Sequence, residues 1–263
     1  MVRVKRRSMP GYDVLGNLVI VDFEGIPKSR EQSIAKRILK EHKNVATILA
    51  KAGPVTGKFR TRKLRYVLGR RNYIADYKEN NCRFVFDVRK TFFSNRLSFE
   101  RSRISSLYKK KENVLVMFAG VGPFAIEIAK GNRKAKVVAI ELNRYAYEAM
   151  KENITLNKTD NVVPVLGDAN RLPNKYKRSF DRIVMPLPWQ SLDFLDSAIR
   201  ASKPNAVIHI YAFTKAEGGA STIFDAVKKH AEDAGRKARL LRTRKVRDYS
   251  SREVEIVLDV KLH

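Results

Sequence analysis

The sequence predicts an α/β chain in two parts, a small α+β domain over about residues 1–90 and then a doubly wound parallel sheet over about 91–263. Three observations carry this reading. Apolar strand-like runs alternate with helix-period segments from Thr91 onward, the pattern of a parallel sheet flanked by helices. A Gly-x-Gly pair stands directly between a strand and a helix, and two β-rich runs around a polar loop close the chain.

In the first part, "YDVLGNLVIVDF" reads as a strand, Ser29 to His42 as a helix, and "VATILAK" and "CRFVFDV" as strands. Between them "GKFRTRKLRYVLGRR" carries seven cations from Lys58 to Arg71 and no acid, which makes a cationic face rather than a core. In the second part, a helix over Asn95 to Tyr108 precedes strand "NVLVMF", helix Pro123 to Lys130, strand "AKVVAIEL" and helix Arg144 to Asn157. Strands "VVPVL" and "FDRIVM", a helix over Ser191 to Ser202, strand "AVIHIYAF" and a helix over Glu217 to Ala234 follow. The final runs, "ARLLRTRKV" and "EVEIVLDVKL", flank "RDYSSR" and predict an antiparallel hairpin. Such a hairpin on a parallel Rossmann-like sheet is typical of class I methyltransferases.

Charge narrows the partners. The 263 residues hold 54 Lys and Arg against 27 Asp and Glu, a formal net charge of +27, so a polyanion such as RNA or DNA is expected. A merely charge-rich surface predicts balancing acids, which the composition lacks. Cys82 is the only cysteine, which excludes a disulfide framework or a zinc cluster within one chain and fits a reducing cytosol. No apolar run approaches the roughly 18 residues of a membrane span, and "MVRVKRRSMPG" reads as a basic arm rather than a signal peptide.

The glycine turn lies in "VLVMFAGVGPFAIEIA". Gly120 and Gly122 let the backbone turn tightly before a helix start that presents free N–H groups. A dinucleotide site is the alternative, with Ala125 at its third glycine position. Glu141, 19 residues beyond Gly122 at the end of the next strand, is placed to accept the ribose hydroxyls of an adenosine. Asp168, in "GDAN" after the third strand, is placed to accept from an adenine amino group, its alternative being a helix N-cap. The glycine turn with two strand-end acids fits S-adenosylmethionine better than NAD.

Two stretches carry a specific match: "TFFSNRLSFERSRI" and, ten residues later, "VLVMFAGVGPFAIEIA". Together with "YDVLGNLVIVD", "EHKNVATILAKAGPVTGKFRTRKL" and "DYSSREVEIVLDV", they resemble the archaeal and eukaryotic tRNA guanine-37 N1-methyltransferases and the related wyosine-pathway enzymes, over nearly the whole chain. The resemblance implies cofactor contacts at Arg101, Phe118, Glu141, Asn143 and Asp168 beside Gly120 and Gly122. It implies a catalytic pair of Glu100 with Arg60 or Arg62, and an aromatic, Phe92, near the target base. The strand-end Asn-Leu-Pro of N1-methylating members becomes Pro186, Leu187 and Pro188, as in the a-type archaeal subfamily linked to wyosine derivatives. Val116 stands where the glycine-loop strand usually carries Asp, and the resemblance implies an alignment that starts at the second domain of larger relatives, after the small amino-terminal domain that grips the outer corner of tRNA.

The function implied is methyl transfer from S-adenosylmethionine to position 37 in the anticodon loop of tRNA(Phe), at C7 of 4-demethylwyosine and also at N1 of guanine, by a cytosolic monomer without a metal. N1 of guanine carries a proton that a positioned base must remove, and Glu100 is the candidate. An arginine near guanine O6 would stabilise the charge that develops. The alternatives are an aminocarboxypropyl transferase of the same pathway, which commonly lacks a carboxylate at the position of Glu100, and a non-catalytic RNA-binding module. Trp189, the sole tryptophan, is placed either to stack on a base or to pack beside the loop.

Overall fold

The computed structural model describes residues 9–107, 111–171 and 174–263. The cations of the first eight residues and Tyr108, the expected helix end, lie outside the described residues. The chain divides into two compact units, Met1–Arg96 and Leu97–His263.

The first unit holds β1 (Tyr12–Leu15), β2 (Leu18–Val21), α1 (Lys28–Glu41), β3 (Thr47–Thr56) and β4 (Thr61–Gly69), with the strands ordered β1-β2-β3-β4. The single strand expected over "YDVLGNLVIVDF" is a hairpin. Gly16 takes φ 62° at its turn, and a Cβ there would meet the Asp76 carbonyl oxygen at 1.9 Å, so only glycine fits. From α1, Ile34, Ala35 and Ile38 pack on Val19, Val21, Ile48 and Ala50 of the sheet. A second hairpin, β5 (Ile74–Glu79) and β6 (Cys82–Asp87), turns at Asn80 and Asn81, both left-handed. Phe93 packs against Phe86 and Tyr77 beside it, with centroids 4.8 and 5.2 Å apart. The cationic stretch is strand β4, and Arg65 within it is held by both carboxylate oxygens of Glu31 at 2.8 Å.

After a 3-10 turn over Asn95–Leu97, the second unit holds α2 (Ser98–Ser106), β7 (Asn113–Val116), α3 (Pro123–Gly131), β8 (Lys136–Glu141), α4 (Arg144–Leu156) and β9 (Val162–Leu166). Then come β10 (Phe180–Met185), a 3-10 turn into α5 (Leu195–Ala201), β11 (Ser202–Lys215), α6 (Gly219–Asp233), β12 (Ala238–Asp248) and β13 (Glu253–Leu262). The sheet order is β12-β13-β11-β10-β7-β8-β9. Five strands, β11 through β9, run parallel, and β13 is antiparallel to both of its neighbours. The terminal hairpin is therefore present, with its last strand inserted beside β11 and β12 left at the sheet edge.

Period-2 alternation separates the two faces of this sheet. Ile208, Ile210 and Ala212 of β11 and Ile256, Leu258 and Val260 of β13 join α5 and α6 in one apolar core. The opposite face carries His209, Tyr211 and Phe213 of β11 and Glu255, Val257 and Asp259 of β13, which register directly opposite one another. No helix among the described residues is long and apolar enough to cross a membrane.

Candidate active site

Because β7, β8, β9 and β10 are parallel, the loops at their carboxyl ends gather at one edge of the sheet, where open α/β folds bind ligands. After β7 the backbone is left-handed at Phe118 (φ 55°), Gly120 (59°) and Gly122 (91°), and Pro123 then starts α3. A Cβ on Gly122 would come within 2.9 Å of Met150 Cγ. Glu141, at the end of β8, bridges the turn. Its Oε2 accepts from the Gly120 N–H and its Oε1 from the Asn143 N–H, both at 2.7 Å. Burial raises the Glu141 carboxyl above its ordinary value despite these backbone donors. A carboxylate offers about four lone-pair positions, so acceptor capacity remains for a diol.

Asn143 caps α4 through its Oδ1, which accepts from the Tyr145 N–H at 3.0 Å. Asp168 opens the 3-10 turn Ala169–Arg171, its Oδ1 accepting from the Asn170 N–H at 2.9 Å, so the capping alternative describes this oxygen. Phe118 packs edge-on against Phe194 at 4.6 Å between centroids. Arg101 is buried in α2, with its Nε 3.4 Å from Glu127 Oε1 and its guanidinium 5.9 Å from the Phe124 ring, both on α3. It thus ties α2 to the helix that closes the glycine turn.

Glu100 is only 2% exposed. Its Oε2 accepts from Arg103 Nε at 2.9 Å and from the Tyr211 hydroxyl at 3.1 Å. Its Oε1 lies 3.1 Å from Arg244 Nε without a well-aligned hydrogen bond. Behind it runs a chain of buried charge. Arg103 reaches Asp259 at 2.8 Å, His209 Nδ1 is 2.6 Å from Asp259, Arg182 Nη1 is 2.8 Å from His209 Nε2, and Arg182 Nε is 2.9 Å from Glu112. Arginine cannot accept, so Nε2 of His209 must; the ring is neutral and donates from Nδ1 to Asp259. Burial likewise lowers the His209 pKa, Asp259 opposes it, and the Arg182 and Arg103 charges add to the lowering. Burial alone would raise the Asp259 carboxyl, but His209 and Arg103 outweigh it and hold the group well below the carboxylate range. Tyr211 is pushed well above its ordinary value by burial and by the Glu100 charge.

The sequence reading singled out Glu100 and Arg101 but missed Tyr211, His209, Asp259, Arg182 and Arg244. The available signal was polar residues at every second position of otherwise apolar strands, "HIY" and "VLDV".

In the first unit, Arg60 stacks its guanidinium 5.1 Å from the centroid of the exposed Phe92 ring, and it is left-handed at φ 52°. Arg62 instead lies close enough to Asp22 to lower its pKa, behind the larger effect of Lys51. Pro186 and Pro188 occupy the half-buried loop after β10, where the Pro188 carbonyl accepts from the Phe213 N–H at 3.2 Å.

The sheet order with its reversed last strand, and a glycine turn bridged to a strand-end acid, define an S-adenosylmethionine-dependent methyltransferase with a Rossmann-like sheet. Residues 75–240 match the TRM5/TYW2 methyltransferase domain, and residues 5–72 match the TYW2 N-terminal domain. The chain belongs to the TRM5/TYW2 methyltransferase family. It is 36% identical to the tRNA (guanine(37)-N(1))-methyltransferase Trm5b of Pyrococcus abyssi, over 98% of this chain and 76% of the relative. The crystal structure of that Pyrococcus abyssi protein superposes with a TM-score of 0.88 at 34% identity, covering 100% of this chain and 78% of the other. The tRNA 4-demethylwyosine(37)-methyltransferase Taw21 of Saccharolobus solfataricus is 31% identical over 83% of each chain. The structure of M. jannaschii TYW2 in complex with AdoMet matches with a TM-score of 0.76 at 27% identity, over 96% of this chain and 99% of that one.

Proposed function

We propose that this protein methylates the base at position 37 of tRNA(Phe), at C7 of 4-demethylwyosine and at N1 of guanine, with Glu100 as the base. The observation that carries the reading is the setting of Glu100: a buried carboxylate fixed through one oxygen by Tyr211 and Arg103, with the other oxygen free of aligned donors among the described residues. A base held in one orientation needs no reorganisation as the proton moves.

The turn residues Phe118, Gly120 and Gly122, with Glu141, Asn143 and Asp168, hold the cofactor, and Arg101 fixes the helix behind it. S-adenosylmethionine supplies an electrophilic methyl group when bound. The protein's part is then alignment, exclusion of water and proton removal. For guanine, Glu100 takes the N1 proton while an arginine stabilises the charge at O6. Arg60 is the better candidate than Arg62, because it already lies on Phe92, the aromatic assigned to the base. For 4-demethylwyosine, attack from C7 leaves a cationic ring, and the same carboxylate removes the C7 proton. Pro186 and Pro188 offer the base shape and apolar contact where an amide would demand one hydrogen-bonding edge. Relatives named for each of the two substrates, at 36% and 31% identity, support a site that accepts both.

The test is incubation with labelled S-adenosylmethionine and two forms of tRNA(Phe), one with guanine-37 and one with 4-demethylwyosine, followed by nucleoside mass analysis. A C7-methylated tricycle and N1-methylguanine are the expected products. An aminocarboxypropyl adduct, or no adduct on either RNA, would overturn the proposal.

A further inference from the structure

Three aromatic rings from separate elements meet at the carboxyl-end edge of the second unit's sheet. Trp189 comes from the loop after β10, Phe213 from the end of β11 and Tyr249 from the turn between β12 and β13. Their centroids lie 4.5, 5.1 and 4.4 Å apart for Trp189–Phe213, Trp189–Tyr249 and Phe213–Tyr249. Trp189 is 48% exposed and Tyr249 46% exposed, so the cluster presents its large rings outward rather than filling a core.

Cations surround it on the same face. A bulge between Lys245 and Arg247 brings Arg244 and Arg247 to one side of β12, opposite Val257 and Glu255. Arg247 is paired with the buried Glu255 and lies 5.8 Å over the Phe213 ring. Arg244 contacts Glu100 and lies 4.7 Å over Phe99, which is 65% exposed. Tyr211, the hydroxyl on Glu100, and Phe213 are two residues apart on one strand face, which places them roughly 7 Å apart. The aromatic cluster is thus the next feature along the sheet from the proposed base.

We propose that Trp189 and Tyr249, backed by Phe213 and flanked by Arg247, form a stacking platform for an unpaired nucleotide next to the one presented to Glu100. The occupant is single-stranded RNA. Exposed aromatic faces interleaved with arginines suit unstacked bases between phosphates, and β12 carries Arg239, Arg242, Arg244, Lys245 and Arg247 against the single acid Asp248. An acidic protein segment would use the cations but leave the ring faces unused. The inference rests on the RNA substrate assigned above.

Trp189 is the only tryptophan, so its emission reports this platform alone. The experiment titrates the full chain with an anticodon stem-loop RNA and, separately, with a fully paired RNA duplex of equal length. Saturable quenching by the stem-loop and much weaker quenching by the duplex are expected. Unchanged emission while labelled stem-loop binds, followed by anisotropy, would overturn the platform, as would equal quenching by both RNAs. Tyr249→Ala should weaken stem-loop binding by roughly 5- to 150-fold, the usual worth of one stacked base, and raise KM while leaving kcat. A lower kcat with unchanged RNA affinity and an unchanged melting temperature would count against it. Quenching that persists where no methyl transfer to either tRNA is seen would sustain the platform while the assignment of the reaction fails.

Discussion

Tyr211 and Arg103 bind the same oxygen of Glu100, so each can be removed with the other still in place. A hydrogen bond to a charged group contributes about 1.5–3 kcal/mol. If the Tyr211 bond positions Glu100 for proton removal, Tyr211→Phe should lower kcat roughly 10- to 150-fold and leave cofactor affinity unchanged in equilibrium dialysis; an unaltered kcat would remove Tyr211 from the mechanism. His209 gives a pH signature. Its folded pKa lies below the ordinary 6.5, so as pH falls the unfolded chain takes up the proton first. The stability present above pH 6.5 is then lost as pH drops below it, by up to about 1.4 kcal/mol per unit. Urea unfolding at pH 7.5 and 5.5 should reveal this, and His209→Asn, which keeps a donor toward Asp259, should flatten the slope. Asp259 acts in a lower window, its contribution being lost as pH falls from 3.8 towards its depressed folded value.

At the scale of elements, α2 is clamped by two ion pairs, Arg101 to Glu127 of α3 and Arg103 to Asp259 of β13 in the sheet. Arg103 touches both Glu100 and Asp259, and its removal takes a cation from two buried carboxylates, leaving Tyr211 and Arg244 on Glu100 and only the neutral His209 on Asp259. Arg103→Leu should destabilise the protein by about 3–5 kcal/mol, measured by denaturant midpoint, beyond what the change in packing explains. This clamp was poorly legible in the sequence. Register across β11 and β13 joins residues 50 positions apart, His209 opposite Asp259, and nothing local announces that pairing. The glycine turn and the acid that bridges it were legible because their geometry is local, a Gly-x-Gly turn and then an acid at the next strand end. The hairpin at Gly16 was obscured by apolar residues on both sides of its turn, which read as one continuous strand. Strand β5 escaped because "IADYKE" has little apolar alternation, although Asn80 and Asn81 behind it are typical turn residues.

At the scale of the molecule, a net charge of +27 makes association with RNA a counterion-release process. RNA affinity should fall steeply with salt, and replacing the exposed Arg239 and Arg242 of the edge strand with Gln should reduce the log–log slope by about 0.7–0.9 for each phosphate that is no longer neutralised. Unchanged slopes would move the RNA path away from β12. The fold brings a glycine turn, a buried carboxylate and a cationic edge strand into one unit, and in the function proposed above the carboxylate is what would make this assembly a base-37 methyltransferase. The most direct measurement is single-turnover methyl transfer by Glu100→Gln, alongside wild type, on tRNA(Phe) carrying 4-demethylwyosine or guanine-37 at saturating S-adenosylmethionine. A drop of roughly 10²- to 10⁴-fold in rate on both RNAs, the range for a general base, with cofactor binding retained, is the predicted result. Wild-type rates from Glu100→Gln would contradict it.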